Sequence, residues 1–212
     1  MKALTEQVIT RLHKPFFSRT ELDVWVKGSV HRRDALLRRA MAAGEVARIR
    51  RGLYVVCPPY AKQKPDPLVL AQHVYGPSYI SMESALAFHG WIPEAVYTVV
   101  SVSLNRSRIF DTPVGRFEFV RIPQRTFYSG VDRIELPEMS GTVFMANPLK
   151  ALADLVYARR LDEMPETLLN SLRIDSESLE AVTVAQVDEL AGNYPVERVE
   201  RFLQQMRGRS SK

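Results

Sequence analysis

The chain has 212 residues, 46% of them hydrophobic, with a formal net charge of +5 and a pI near 9.4. Its single cysteine, Cys57, excludes an intrachain disulfide and a cysteine-based metal cluster, and reads as a small, partly buried apolar residue. No apolar run approaches the roughly 20 residues of a spanning helix, and the N-terminal MKALTEQVITRLH has no signal-peptide core, so a cytoplasmic protein with no membrane partner is expected.

The charge is unevenly placed. Residues 1–57 carry 12 Lys/Arg against 5 Asp/Glu, whereas residues 58–212 carry 17 against 19. The basic excess therefore belongs to the first quarter of the chain, and such asymmetry points to a polyanionic partner. Nine of the 12 positive charges are arginines within periodic segments, which favours contact with phosphates or bases over a merely solvated surface.

In chain order, Leu4, Val8 and Leu12, with Ile9 beside them, predict a helix over residues 2–12 that Pro15 ends. Ser18 and Glu21 have the spacing of a capping box, with Phe17 and Leu22 as its hydrophobic staple, so a second helix runs from Arg19 to about Val26. Lys27-Gly28 closes it and Ser29 caps a third. On that helix Val30, Leu36, Leu37, Ala40 and Met41 fall on an apolar side, and His31, Arg32, Ala35, Arg38 and Arg39 on the other, with Arg33 at the margin. Gly44 stops it. Residues 45–49 and 53–56 then read as two strands about an Arg50-Arg51-Gly52 turn.

Three short helices followed by a hairpin are the sequence pattern of a winged helix-turn-helix. The expected ligand is double-stranded DNA, with His31, Arg32 and Ala35 at base edges. Arg33 is assigned a phosphate contact or a salt bridge, and Arg38, Arg39, Arg48, Arg50 and Arg51 are placed on the DNA backbone.

Pro58-Pro59 and the polar stretch to Pro65 form a linker, dividing the chain into domains at residues 1–59 and 60–212. In the second, Asp66-Pro67 opens a helix to Tyr75, and Ser81 caps another from Met82 to His89. Strands are expected at 95–104, 107–110, 116–121, 131–136 and 142–146. Asn147-Pro148 opens a helix. Thr183 and Gln186 form a second capping box, Pro195 starts a last helix, and the RGRSSK tail is expected to be disordered. The expected fold is α+β: an N-terminal winged helix-turn-helix followed by a larger mixed α+β domain with an antiparallel-leaning sheet.

Three motifs carry a family resemblance. RIRRGLYVV (Arg48 to Val56) resembles the N-terminal domain of AbiEi-type antitoxins of type IV toxin–antitoxin systems. YGPSYISMESALAFHGWIP (Tyr75 to Pro93) resembles the opening of that family's C-terminal domain, and FMANPLKALADLVY (Phe144 to Tyr157) a helix-initiating motif later in it. With the helix-turn-helix that precedes the first motif and the intervening spacing they cover about three-quarters of the chain. The resemblance implies a repressor of its own operon that counters a nucleotidyltransferase toxin without a stable complex. Two copies are expected together on inverted repeats in the promoter.

No catalytic constellation or cofactor motif emerges. The four histidines are isolated, and Asp154 and Asp162, weighed as a magnesium-binding pair, more often serve helix ends. Lys150 reads as a surface lysine at a helix start, Ser81 as a cap, and Trp91 and Phe88 as core. Arg106, Arg108, Arg116, Arg121 and Arg125 gather around the 107–121 hairpin, where Arg108 and Arg116 are weighed as cross-strand neighbours against an equal case for scattered solvated positions. A non-enzyme without cofactor is expected. The rival readings are a ligand-sensing repressor, which needs a deep apolar cavity, and an enzyme with an appended DNA-binding module.

Overall fold

The computed structural model describes all residues except 1–3, 5–7, 9–10, 12–13, 62, 94–96, 137–140, 163–164 and 211–212. The helix expected over 2–12 lies mostly outside the described residues, though Leu4 and Val8 are buried. The first elements are β1 (Phe16–Ser18), α1 (Arg19–Trp25), α2 (Val30–Ala42), β2 (Val46–Arg50) and β3 (Leu53–Val56). The capping box forms as the spacing predicts: Glu21 N–H donates to Ser18 Oγ at 3.2 Å, and Ser18 N–H donates to Glu21 Oε2 at 2.7 Å. Ser29 caps α2, accepting from Arg32 N–H at 3.3 Å. The strand β1, which three residues are too few to announce, pairs antiparallel with β3, giving the sheet order β1-β3-β2.

This small sheet is buried on both faces. Phe17, Tyr54 and Val56 pack with Leu22, Val26, Leu37 and Ala40 in one core. Phe16, Ile49, Leu53 and Val55 face the other way and join the core of the rest of the chain. That is why Leu-Tyr-Val-Val is buried at four successive positions instead of alternating. The register slips between Arg48 and Arg50, which leaves Ile49 as the extra residue of a bulge, directed into the larger core. Cys57, just past β3, is half-buried; burial pushes its thiol up, against a weaker pull from the Ala47 backbone.

The larger part contributes α3 (Pro67–Val74), β4 (Ser78–Ile80), α4 (Met82–Phe88), β5 (Thr98–Ser103), β6 (Arg108–Thr112), β7 (Gly115–Arg121), β8 (Val131–Leu136) and β9 (Gly141–Ala146). These are followed by α5 (Pro148–Ala158), α6 (Pro165–Ser171), α7 (Ser176–Glu180), α8 (Val184–Leu190) and α9 (Glu197–Ser210). The six strands lie in the order β6-β7-β5-β4-β9-β8. The pairs β4/β5, β6/β7 and β8/β9 are antiparallel, and β4/β9 and β5/β7 are parallel. The sheet is therefore mixed. Hairpins such as β6/β7 are visible in local sequence, whereas parallel pairings join strands separated by intervening elements. The short β4 sits at the centre, between β5 and β9.

Two further expectations, the tail and Phe88, are corrected, and two points that the sequence leaves open are decided. The tail is helical to Ser210, and α6 and α7 occupy a stretch with no predicted element. Arg108 lies opposite Phe119 and Arg116 opposite Asp111, so Arg108 and Arg116 do not face each other. Trp91 is core, but Phe88 is exposed.

The two parts meet at His73. Its ring lies 4.9 Å from that of Phe16, and its carbonyl accepts from Arg50 Nε at 3.3 Å and Nη2 at 3.1 Å. Burial, then the Lys14 and Arg50 charges, push the His73 imidazole below its ordinary value, and Glu21 opposes them only in part. An unfolded histidine titrates near 6.5. Below that pH the unfolded chain takes up the proton first, so stability is full above about 6.5 and is lost as pH falls through the lower folded value. Urea unfolding between pH 7 and 5 should show this loss, and His73→Gln should flatten it; an unchanged pH slope in the variant would assign the loss elsewhere.

Candidate nucleic-acid interface

The relative placement of α1 and α2 is fixed by charge pairs that engage three of the five acidic residues of the first quarter, Glu21, Asp23 and Asp34. Arg19 pairs with Asp34 across the two helices and with Asp23 at 3.1 Å, and Arg33 Nε reaches Asp23 at 2.6 Å. Lys14 pairs with Glu21 at 3.1 Å. The hydrogen bond from Arg19 holds the Asp34 carboxyl below the usual range against partial desolvation. Burial pushes Glu21 up, but the Ser18 and Lys14 contacts outweigh it and leave the carboxyl low. Arg19 N–H also donates to Gly52 O at 2.8 Å, tying the start of α1 to the hairpin turn.

Against that background the predicted residues separate. His31, Arg32, Arg38, Arg39, Arg48 and Arg51 are exposed and form no ion pair with any described residue. Ala35 is half-buried on α2. Arg33 is half-buried, and its guanidinium is engaged by Asp23 and the Gly28 carbonyl, so the salt-bridge assignment fits it better than the phosphate one. Arg50 is exposed, but its guanidinium is tied to the His73 carbonyl and so to the larger part of the chain. Val30, expected on the apolar side, is 54% exposed, and Val24 of α1 is 74% exposed. Position N1 of α2 precedes the turn that packs on α1, and Leu37 and Ala40 further along form the buried contact.

Gly28 makes the turn between the helices at φ +120°, a conformation that side chains disfavour. An added Cβ would also lie 2.9 Å from Arg32 Cδ, because the Arg32 side chain is folded back over the turn. Gly28→Ala is expected to cost about 1–3 kcal/mol, mostly from the backbone, since the arginine can swing away. Thermal unfolding measures it, and a loss below about 0.5 kcal/mol would mean that the turn relaxes.

A second polar cluster lies inside the larger part, and the sequence reading missed it. Lys150 and Asp154 of α5 are both 0% exposed, with Nζ 3.1 Å from Oδ1. Lys150 also donates to Tyr194 OH at 2.7 Å and to Gln124 Oε1, which uses all three ammonium protons. Asp154 accepts further from Tyr194 OH at 2.7 Å, Tyr79 OH at 2.9 Å and Ser81 Oγ at 2.7 Å. Burial lowers the Lys150 ammonium while Asp154 pulls it up; burial and then the Asp154 charge push both tyrosines well above their ordinary value. Lys150 is thus no surface lysine, and Asp154 is sequestered from Asp162, which is exposed and paired with Arg201 at 3.2 Å. Ser81 stands at the N-cap of α4, but its hydroxyl serves Asp154 instead of the helix. With its donors and acceptors satisfied and no side-chain exposure at Lys150 or Asp154, the cluster is suited to holding β4, α5 and the segment before α9 together.

Among the described residues, no group of three His, Cys, Asp or Glu side chains is placed to hold a metal ion, and no helix is long and apolar enough to cross a membrane. No protein-family model matches the chain, and a search of curated proteins finds no match. The likeness to AbiEi antitoxins therefore rests on the three motifs themselves.

Proposed function

We propose that the chain binds double-stranded DNA through α2 and the β2–β3 hairpin as a winged helix-turn-helix, and represses transcription. The observation that carries this reading is the charge sorting. Asp23, Asp34 and Glu21 are taken up by Arg19, Arg33 and Lys14, while His31, Arg32, Arg38, Arg39, Arg48 and Arg51 stay exposed on one helix and its hairpin and form no ion pair with a described residue. The helix–turn–helix, the following hairpin and a first strand that completes its sheet also agree with the topology of such a domain. In this reading the first turn of α2 enters the major groove, and Arg38, Arg39, Arg48 and Arg51 hold phosphates. Two copies bind the halves of an inverted repeat.

The antitoxin role, with a nucleotidyltransferase toxin as functional partner, follows the motif resemblance and belongs to this proposal. A gel shift with the DNA upstream of the chain's own gene, at two salt concentrations, tests DNA binding. Specific retardation that weakens with salt supports it; no retardation at low salt sinks it. Expressing the neighbouring gene with and without this one tests neutralisation.

A further inference from the structure

We infer that Val30, with Ala35, reads thymine C5-methyl groups in the major groove, so that the preferred duplex carries thymine at a fixed place in each half-site. The inference rests on the DNA-binding reading above and names a chemical feature that the reading leaves open.

The first turn of α2 exposes an apolar side chain that the sequence pattern places on the apolar side. Val30 is 54% exposed at the first helical position, directly after the Ser29 cap. His31 is exposed beside it, and Ala35, half-buried, stands four residues after His31 on the same row of the helix. Asp34 stands four residues after Val30, and its carboxylate is engaged by Arg19. The charge that would otherwise repel a phosphate backbone beside Val30 is thereby neutralised within the protein.

An arginine on this surface gains from any phosphate, and so from any sequence. An apolar side chain gains nothing from phosphates. On the edges of the base pairs in the major groove, the one apolar group is the thymine methyl. Val30 and Ala35 flank His31, whose ring nitrogens can donate to or accept from a neighbouring base edge. The first two turns of α2 therefore combine a hydrogen-bonding residue with two methyl-complementary ones. The surrounding arginines supply affinity without sequence preference.

The test separates the methyl from everything else. The full chain selects its preferred duplexes from a randomised pool. Each dT in the selected site is then replaced singly by dU, which deletes only the methyl group. Affinities are measured at fixed salt for the wild type and for Val30→Ala, an exposed position whose truncation should leave thermal unfolding unchanged. At one dT or more, the replacement is expected to weaken wild-type binding about fourfold, the worth of one buried methyl group, and to leave Val30→Ala unaffected. A flat dU series in the wild type overturns the assignment, as does a series in which the penalty at every dT is equal in both proteins, and either leaves DNA binding intact. Binding without sequence preference also overturns it. Failure to bind any duplex overturns the DNA-binding reading itself.

Discussion

Replacing Asp154 by alanine is expected to lower the free energy of unfolding by about 3–5 kcal/mol, the usual consequence of stranding one member of a buried ion pair. The carboxylate is fully buried and accepts from Lys150, Tyr194, Tyr79 and Ser81. Its removal leaves an ammonium group and three hydroxyls short of an acceptor in a medium that cannot solvate them. Lys150→Met should be similarly costly, because Asp154 then remains charged without its cation. The double substitution Lys150→Met with Asp154→Ala should cost less than the sum of the two singles, since no buried charge is left unpaired. It should still fall short of wild type, because the Tyr79, Tyr194 and Ser81 hydroxyls lose their acceptor. Urea unfolding of all four proteins decides the matter. Single variants within about 1 kcal/mol of wild type would mean that water enters the cluster readily. The tyrosines supply an independent check. Tyr79 and Tyr194 should stay protonated when exposed tyrosines ionise, and tyrosinate absorbance across a pH titration would register them as a late fraction.

The second large effect is expected on α2 and the β2–β3 hairpin. Substituting Arg38, Arg39 and Arg51 by alanine together should flatten the dependence of log affinity on log salt by about 2–3, as phosphate contacts on duplex DNA contribute roughly 0.9 each. Affinity should fall for specific and unrelated duplexes alike, because the phosphate contacts carry no sequence information. The fold should be unaffected, as all three side chains are exposed and unpaired with described residues. Arg50→Ala should behave differently. Its guanidinium is held by the His73 carbonyl, so its loss should loosen the seam between the small sheet and α3 while leaving the salt slope nearly unchanged. A triple variant with the wild-type salt slope would remove these arginines from the DNA backbone. An Arg50→Ala slope lowered as much as by one of the other arginines would show that the His73 contact yields to DNA.

Local signals in the sequence determined much of this protein. The capping boxes at Ser18 and Thr183, the Asp66-Pro67 and Asn147-Pro148 helix starts, and Gly28 and Gly44 lie where the chain turns. Each depends on residues within one helical turn of one another, so the physics acts on a stretch the sequence displays directly. The hairpin β2–β3 and the concentration of positive charge were legible for the same reason. Tertiary structure alone decided which charges remain available. Nothing local distinguishes Arg50 from Arg51, and the helical wheel put Arg33 only at the margin of the apolar side; what separates them from the other arginines is the position of Asp23 and of the His73 carbonyl, contributed by other elements. The parallel pairings of the larger sheet, the double-sided burial of β3 and the exposure of Val30 are non-local in the same sense. The Lys150–Asp154 pair left a trace. It sits four residues apart on a helix otherwise almost wholly apolar, and such a helix is buried all round. A lysine and an aspartate at that spacing in a buried helix must meet each other. Their remaining partners, brought from β4, the segment after β7 and the segment before α9, only the folded chain could supply.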